Sequence, residues 1–83
     1  MICVLDRVPE RYPDMTSKEV TSAWESRIKT QYRIDGDKEY MVTIGISLKG
    51  RLLEMIAFED GDDIVVFHAM KATKKTLVEL GIL

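Results

Sequence analysis

The chain has 83 residues, and its 12 Lys and Arg against 14 Asp and Glu give a formal net charge of −2. A chain of this length forms one domain, residues 1–83, whose interior is too small for a deep cleft. The hydrophobic fraction of 46% excludes intrinsic disorder, and the acidic balance excludes a surface that attracts nucleic acid over its whole area.

The one cysteine, Cys3, can form neither an internal disulfide nor a multi-cysteine zinc site. A small domain without disulfides indicates a reducing compartment, so we expect a cytoplasmic protein. The apolar residues 1–5 are followed at once by Asp6 and Arg7, a stretch too short for a signal peptide or a membrane span. We therefore expect no membrane association.

Residues 1–15 contain two prolines, and their apolar residues fit either a short helix or an edge strand. Thr16 and Glu19 then form a capping box, the side-chain pair that is typical of a helix start. The apolar spacing that follows predicts an amphipathic helix over residues 17–27, with Trp24 as its anchor in the core.

Alternation of apolar residues and the positions of turn residues predict four strands, at 28–34, 40–48, 51–59 and 64–70. Thr73 then caps a final short helix. Every connection between the strands suits a hairpin and is too short for a crossover helix. The predicted fold class is therefore α+β: a four-stranded antiparallel meander with the N-terminal helix or helices on one face and a short C-terminal helix.

The glycine-containing turn at Lys49-Gly50 fixes which strand residues share a face. A two-residue turn there places Gly45 opposite Glu54. The face that the helix covers would then hold the following apolar side chains: Val42, Ile44, Ile46, Leu53, Met55 and Ala57.

The turn before the last strand has two alternatives. A three-residue loop with Gly61 in the left-handed conformation places His68 beside Glu54 or one diagonal step away. A two-residue loop reverses the faces of the last strand and separates the two side chains.

Two segments of the chain carry recognisable motifs: residues 40–54 read YMVTIGISLKGRLLE, and residues 65–75 read VVFHAMKATKK. The first segment resembles the central hairpin of a known family, the BrnT-type toxins, which carries an IG-x-S-x-x-GR-x-L run. The second segment resembles the family's last strand and the start of its last helix. The resemblance covers residues 16–80 and departs from the family at Met70, where the toxins usually carry arginine.

This resemblance implies a RelE-superfamily fold and a bacterial type II toxin. Such toxins are small endoribonucleases that are neutralised by a cognate antitoxin protein, so RNA and an antitoxin are the implied partners. Lys49 and Arg51 match the basic residues of the family's glycine–arginine turn, and Lys71 matches a basic residue after the last strand. A homodimer stays open as an alternative.

Metal-independent RNA cleavage requires a base for the ribose 2′-hydroxyl, an acid for the leaving 5′-oxygen and cations for the charged transition state. Glu54 and His68 can serve as base or acid, and histidine titrates near neutral pH. We take Glu54, His68 and Arg51 as candidate catalytic residues. The candidate phosphate-binding residues are lysines: Lys49, Lys71, Lys74 and Lys75.

Charge is divided unequally along the chain. Residues 1–63 hold 9 basic and 13 acidic side chains, a net of −4, whereas residues 64–83 hold 3 basic and 1 acidic, a net of +2. The positive segment contains His68 and the three lysines that follow it. This local charge favours binding of RNA despite the acidic total.

Each candidate also has a structural alternative. His68 fits a partly buried structural histidine, Glu54 a cross-strand partner and Arg51 a turn residue. The alternative function is a non-catalytic protein-interaction domain or a degenerate toxin on the same fold. One histidine and one cysteine are too few for a zinc site, and no glycine-rich phosphate loop occurs, so we expect no metal and no cofactor.

Overall fold

Five strands and three short helices build the fold in the computed structural model, which describes residues 1–83. In chain order the elements are β1 (Ile2–Val4), α1 (Arg7–Arg11), α2 (Ser17–Glu25), β2 (Arg27–Asp35), β3 (Lys38–Ile46), β4 (Leu52–Asp60), β5 (Asp63–Lys71) and α3 (Lys74–Glu79). The α+β class is confirmed, and each of the four predicted strands lies within two residues of an observed one. No helix is long and apolar enough to cross a lipid bilayer.

The sheet has the strand order β1-β5-β4-β3-β2. Strands β2 to β5 form consecutive antiparallel hairpins, whereas β1 pairs with β5 in parallel, with Ile2 opposite Ile64 and Val4 opposite Val66. The prediction of a four-stranded antiparallel meander is therefore wrong for the whole sheet, which is five-stranded and mixed. Strand β1 has only 3 residues, too few for a period-two signal in the sequence.

Helix α2 starts at the predicted Thr16 cap, but Glu19 does not complete the capping box, because its carboxylate accepts from Arg51 and Ser47 instead. The Glu19 backbone N–H donates to Thr16 Oγ1 at 3.1 Å, and Val20, Ala23 and Trp24 are buried against the sheet. The helix ends at Glu25, two residues earlier than predicted, because the chain turns into β2 at Arg27.

The β3–β4 hairpin has a three-residue turn. The Ser47 and Arg51 backbones pair across it, since Ser47 N–H donates to the Arg51 carbonyl at 2.8 Å, and Gly50 adopts the left-handed conformation at φ 76°. Gly45 consequently lies opposite Leu53. The predicted pairing of Gly45 with Glu54 is wrong by one residue, because a two-residue turn was assumed where a left-handed glycine extends the loop.

This shift of one residue moves one strand's apolar set to the other side of the sheet. Leu53, Met55 and Ala57 lie in the core under α1 and α2, whereas Val42 and Ile44 lie in a second core under α3. The prediction that these residues share one face is therefore wrong. Both faces of the sheet carry a helix, which explains why apolar residues occupy both sides of β3 and β4.

Candidate functional site

The β4–β5 turn has two residues, the alternative that by itself would separate His68 from Glu54. Asp60 pairs with Asp63, and Gly61 adopts a left-handed φ of 62° in the turn between them. Pairing without interruption would place His68 on the face that α2 covers.

A β-bulge at Phe67 reverses that outcome. Ala57 lies opposite Val66 and Ile56 lies opposite His68, so Phe67 is one extra residue in β5. The bulge brings His68 onto the face that carries Glu54. The expected proximity is thus confirmed, although a two-residue turn with a bulge achieves it instead of a three-residue turn.

His68 and Glu54 form a diagonal pair across the two strands. His68 Nε2 lies 4.0 Å from Glu54 Oε2, and their side chains are 27% and 11% exposed. The other carboxylate oxygen, Oε1, accepts hydrogen bonds from the Thr73 backbone N–H and the Thr73 hydroxyl, both at 2.8 Å. Glu54 therefore connects the histidine to the first residue before α3, where Thr73 caps the helix as predicted.

Burial lowers the pKa of His68 below its ordinary value. The Glu54 charge opposes this shift, whereas the positive charges of Arg11 and Arg7 reinforce it. His68 is therefore a neutral imidazole at pH 7, the form that accepts a proton.

A cleft of about 460 Å³ lies between α1 and the edge of β5. His68, Arg7, Arg11 and Tyr12 are among its lining residues. The cleft exists because β1 ends at Val4, so that the remaining outer edge of β5 faces α1 instead of a strand.

Arg7 forms a hydrogen bond to the part of the β5 edge that β1 does not pair with. Its Nε donates to the Phe67 carbonyl at 3.0 Å, and its guanidinium lies 5.4 Å from the centre of the Phe67 ring. Phe67 in turn contacts Tyr40 and Phe58, with ring centres 5.6 and 5.8 Å apart. These aromatic rings line a second, adjacent cavity of about 530 Å³ that also includes Arg7.

Arg51 lies in a different cluster, with carboxylates from the α1–α2 segment. Its Nε and Nη2 donate to both oxygens of Glu19 at 2.8 and 2.6 Å, and its Nη1 donates to Asp14 at 2.9 Å. Glu19 is 1% exposed and also accepts from the Ser47 hydroxyl at 2.7 Å. Lys49 Nζ lies 3.8 Å from the same carboxylate.

The hydrogen bonds from Arg51 hold the pKa values of Glu19 and Asp14 below their ordinary range. The bonds to these two carboxylates, that to Glu19 foremost, raise the pKa of Arg51. Arg51 and Lys49 thus make polar contacts with this acidic pair and none with Glu54 or His68.

The structure therefore brings the predicted site residues together in two pairs and leaves three lysines outside both. Glu54 and His68 come together. The three lysines, Lys71, Lys74 and Lys75, are exposed and form no ion pair. Arg51 and Lys49 belong to the Glu19 cluster.

Sequence reasoning misses three residues of the cleft, Arg7, Arg11 and Tyr12, because residues 1–15 predict no defined element. The spacing of four residues between Arg7 and Arg11 is the signal that places both on one side of a helix. No group of three or more His, Cys, Asp or Glu side chains is placed to hold a metal ion.

Comparison with known proteins finds no relative. No family model, no curated protein and no solved structure matches the chain. The case for a function therefore rests on the residues of the cleft and on the resemblance of the two segments.

Proposed function

We propose that the protein is a metal-independent endoribonuclease of the type II toxin kind, which cleaves RNA in the cleft between α1 and β5 and is neutralised by a cognate antitoxin. The observation that carries this proposal is one cleft that brings the half-buried His68 together with two arginines, Arg7 and Arg11. The BrnT-like hairpin and the VVFHAMKATKK segment support the toxin class.

The cleft contains the groups that phosphodiester transfer needs. Neutral His68 takes the proton of the ribose 2′-hydroxyl, whose oxygen then attacks the phosphorus. Glu54 Oε2, 4.0 Å from His68 Nε2, stabilises the imidazolium that forms. Arg7 and Arg11 compensate the charge that develops on the phosphoryl oxygens. Tyr12, which also lines the cleft, is the residue whose hydroxyl donates a proton to the leaving 5′-oxygen in this proposal.

The test is cleavage of RNA by purified protein with EDTA present. We expect His68→Ala to lower the rate by about a hundredfold or more, because it removes the base. Arg11→Ala should lower the rate with His68 intact, whereas Lys18→Ala, an exposed residue of α2 outside the cleft, should leave it unchanged.

Two further variants distinguish the residue sets. Arg51→Ala and Lys71→Ala test the candidates from the sequence, with thermal unfolding measured in parallel because Arg51 holds Glu19. Wild-type protein that cleaves no faster than His68→Ala, and whose expression does not arrest growth, would contradict the proposal.

A second candidate is a non-catalytic interaction domain on the same fold. The observation in its favour is that Arg51 and Glu54 already hold structural hydrogen bonds, to Glu19 and Thr73 respectively. The product of a neighbouring gene, co-expressed and co-purified, separates the candidates. An antitoxin abolishes a measurable cleavage activity, whereas a partner of an interaction domain binds a protein that has none.

A further inference from the structure

The outer edge of β2 is open along its whole length. Strand β2 lies at the end of the sheet and pairs only with β3. Eight of its nine residues are exposed, and Thr30 alone is half-buried. An edge strand of this length presents a row of unpaired backbone N–H and C=O groups, which can pair with another strand.

The composition of β2 protects this edge only in part, because exposed apolar residues stand between its charged ones. Ile28, Tyr32 and Ile34 are 51%, 58% and 75% exposed, and the strand contains no proline. Its one irregularity lies at the start, between Arg27 and Lys29. From residue 29 to residue 35 the pairing with β3 continues without a register shift.

We propose that two copies of the chain associate by antiparallel pairing of their β2 strands about a two-fold axis at Tyr32. In this register Lys29 of each copy lies opposite Asp35 of the other. Thr30 lies opposite Ile34, and the two Tyr32 side chains meet at the axis.

Charge selects this register among those that symmetry allows. Backbone groups alternate in direction along a strand, so the axis of a symmetric antiparallel pair passes through a residue. An axis at Gln31 places Lys29 opposite Arg33, and an axis at Thr30 places Arg27 opposite Arg33. An axis at Arg33 places the two arginines opposite each other. Like charges directly opposite destabilise strand pairing.

The Tyr32 axis places unlike charges opposite each other twice and like charges nowhere. An axis at Ile34 also avoids like charges, but it pairs only residues 33–35 of β2. Lys29 and Asp35 form no ion pair within the chain, so both are free for the second copy. Arg33 is already held by Glu79 of α3.

The first experiment measures the mass of the purified protein by sedimentation from low to high micromolar concentration. We expect a reversible dimer. Lys29→Asp and Asp35→Lys should each weaken association by about tenfold or more, because each places like charges opposite twice. The Lys29→Asp/Asp35→Lys double variant restores unlike pairs in the same register and should restore the dimer.

A folding defect in the single variants would not produce this loss and recovery of the dimer, because the second exchange would not repair the fold. Circular dichroism of each variant checks that the fold is intact. Wild-type protein that stays monomeric throughout overturns the proposal. So does a dimer whose association the single exchanges leave unchanged.

The second experiment tests the register by cross-linking in a Cys3→Ser background. Paired Cα atoms in an antiparallel ladder are about 4.5 to 5.5 Å apart, within disulfide range. Tyr32→Cys should therefore form a covalent dimer on mild oxidation. Ile34→Cys is the control: its two copies would be about 13 Å apart along the strands, beyond that range. Cross-linking of Ile34→Cys but not Tyr32→Cys would overturn the proposed axis.

Discussion

Glu54 illustrates how one side chain serves two structural neighbours at once. Its Oε1 accepts hydrogen bonds from the Thr73 backbone N–H and hydroxyl, and its Oε2 lies 4.0 Å from His68 Nε2. The two hydrogen bonds that Thr73 donates fix the carboxylate in place, so its charge acts on His68 from a constant position. The protonation of His68 therefore depends on Glu54 as well as on burial.

The first prediction concerns the His68 titration, which NMR can follow without overlap because the chain has one histidine. The wild-type pKa should be below the ordinary value of 6.5, since burial disfavours the imidazolium. Glu54→Gln should lower it further, because the amide removes a charge that favours the protonated form. Arg11→Ala should raise it, because it removes a positive charge.

Glu25→Gln, at the exposed C-terminal end of α2, is the matched control and should leave the His68 pKa unchanged. A wild-type value above 6.5 would contradict burial as the dominant cause. The lowered pKa also sets the direction of the pH dependence: cleavage that uses neutral His68 should decline as pH falls through that pKa.

The second prediction concerns Glu19, whose folded pKa lies below its ordinary value of 4.5 because Arg51 bonds to it. The unfolded chain binds more protons between the two values, so this contribution to stability is complete above about pH 4.5 and is lost as pH falls through the folded pKa. Arg51→Gln should destabilise the protein near pH 7 and flatten its stability curve at acid pH.

The measurement is the thermal unfolding midpoint of wild type and of Arg51→Gln from pH 3 to pH 7. This range includes the ordinary carboxyl pKa values of about 4. Asp37→Asn, in the exposed β2–β3 turn, is the control that removes an acidic group without a cation partner. Equal acid sensitivity of Arg51→Gln and wild type would show that the Glu19 pair does not account for it.

At the scale of elements, α2 approaches β3 closely at Gly45. A Cβ atom on Gly45 would stand 1.9 Å from the Ala23 carbonyl oxygen, which is helix backbone and cannot rotate away. The glycine thus permits α2 to lie directly on β3. This contact fixes the distance of the helix from the sheet and, through Trp24 and Val20, the packing of the larger core.

The third prediction follows from this contact. Gly45→Ala should destabilise the protein by about 3 kcal/mol, because helix and strand must separate to admit the methyl group. Gly36→Ala is the matched control, with nothing within 4 Å of its Cβ, and should cost only the left-handed strain of about 1 kcal/mol. Urea unfolding measures both, and equal losses would contradict the steric account.

The sequence predicts the elements better than their registration. The Thr16 and Thr73 caps are local signals, and both helices start where those signals stand. The bulge at Phe67 has no comparable signal, because an apolar residue continues the apolar run Val65-Val66 without a glycine to mark the irregularity. Face assignments depend on such single-residue shifts, which is why the β3–β4 faces were assigned wrongly and the His68 position stayed open.

The candidate site was predictable only in part for a related reason. Glu54 and His68 lie on two strands joined by a hairpin, so their proximity can be predicted from the pairing of neighbouring strands. Arg7 and Arg11 approach His68 from a helix about sixty residues away along the chain, and the parallel pairing of β1 with β5 and the burial of Val8 in the core place them there. No pattern in residues 1–15 encodes that long-range contact.

At the scale of the whole molecule, the net charge of −2 makes RNA binding depend on local cations. The fourth prediction is that affinity for single-stranded RNA, measured with non-cleaving His68→Ala, declines with the logarithm of salt concentration. Each phosphate contact contributes a slope of about −0.7. Adding Arg7→Ala and Arg11→Ala should reduce the slope by about 1.4, since two contacts are lost.

Lys49→Ala in the same His68→Ala background is the comparison, because Lys49 lies beside Glu19. An unchanged slope for Lys49→Ala with a reduced slope for the arginine variant would place the phosphates in the α1–β5 cleft. The reverse result would favour the glycine–arginine turn.

The parallel pairing of β1 with β5 has a consequence for the order of folding. The three hairpins from β2 to β5 join residues that are close in the chain, so they can form early. The pairing of Ile2 with Ile64, in contrast, closes a loop that includes most of the chain. Closing that loop carries the largest entropic cost, so β1 and α1 should dock last and open first. The wall of the cleft that carries Arg7 and Arg11 is then the least protected part of the fold. Hydrogen exchange under native conditions should show the amides of residues 2–11 exchanging by local opening while those of β3 and β4 remain protected.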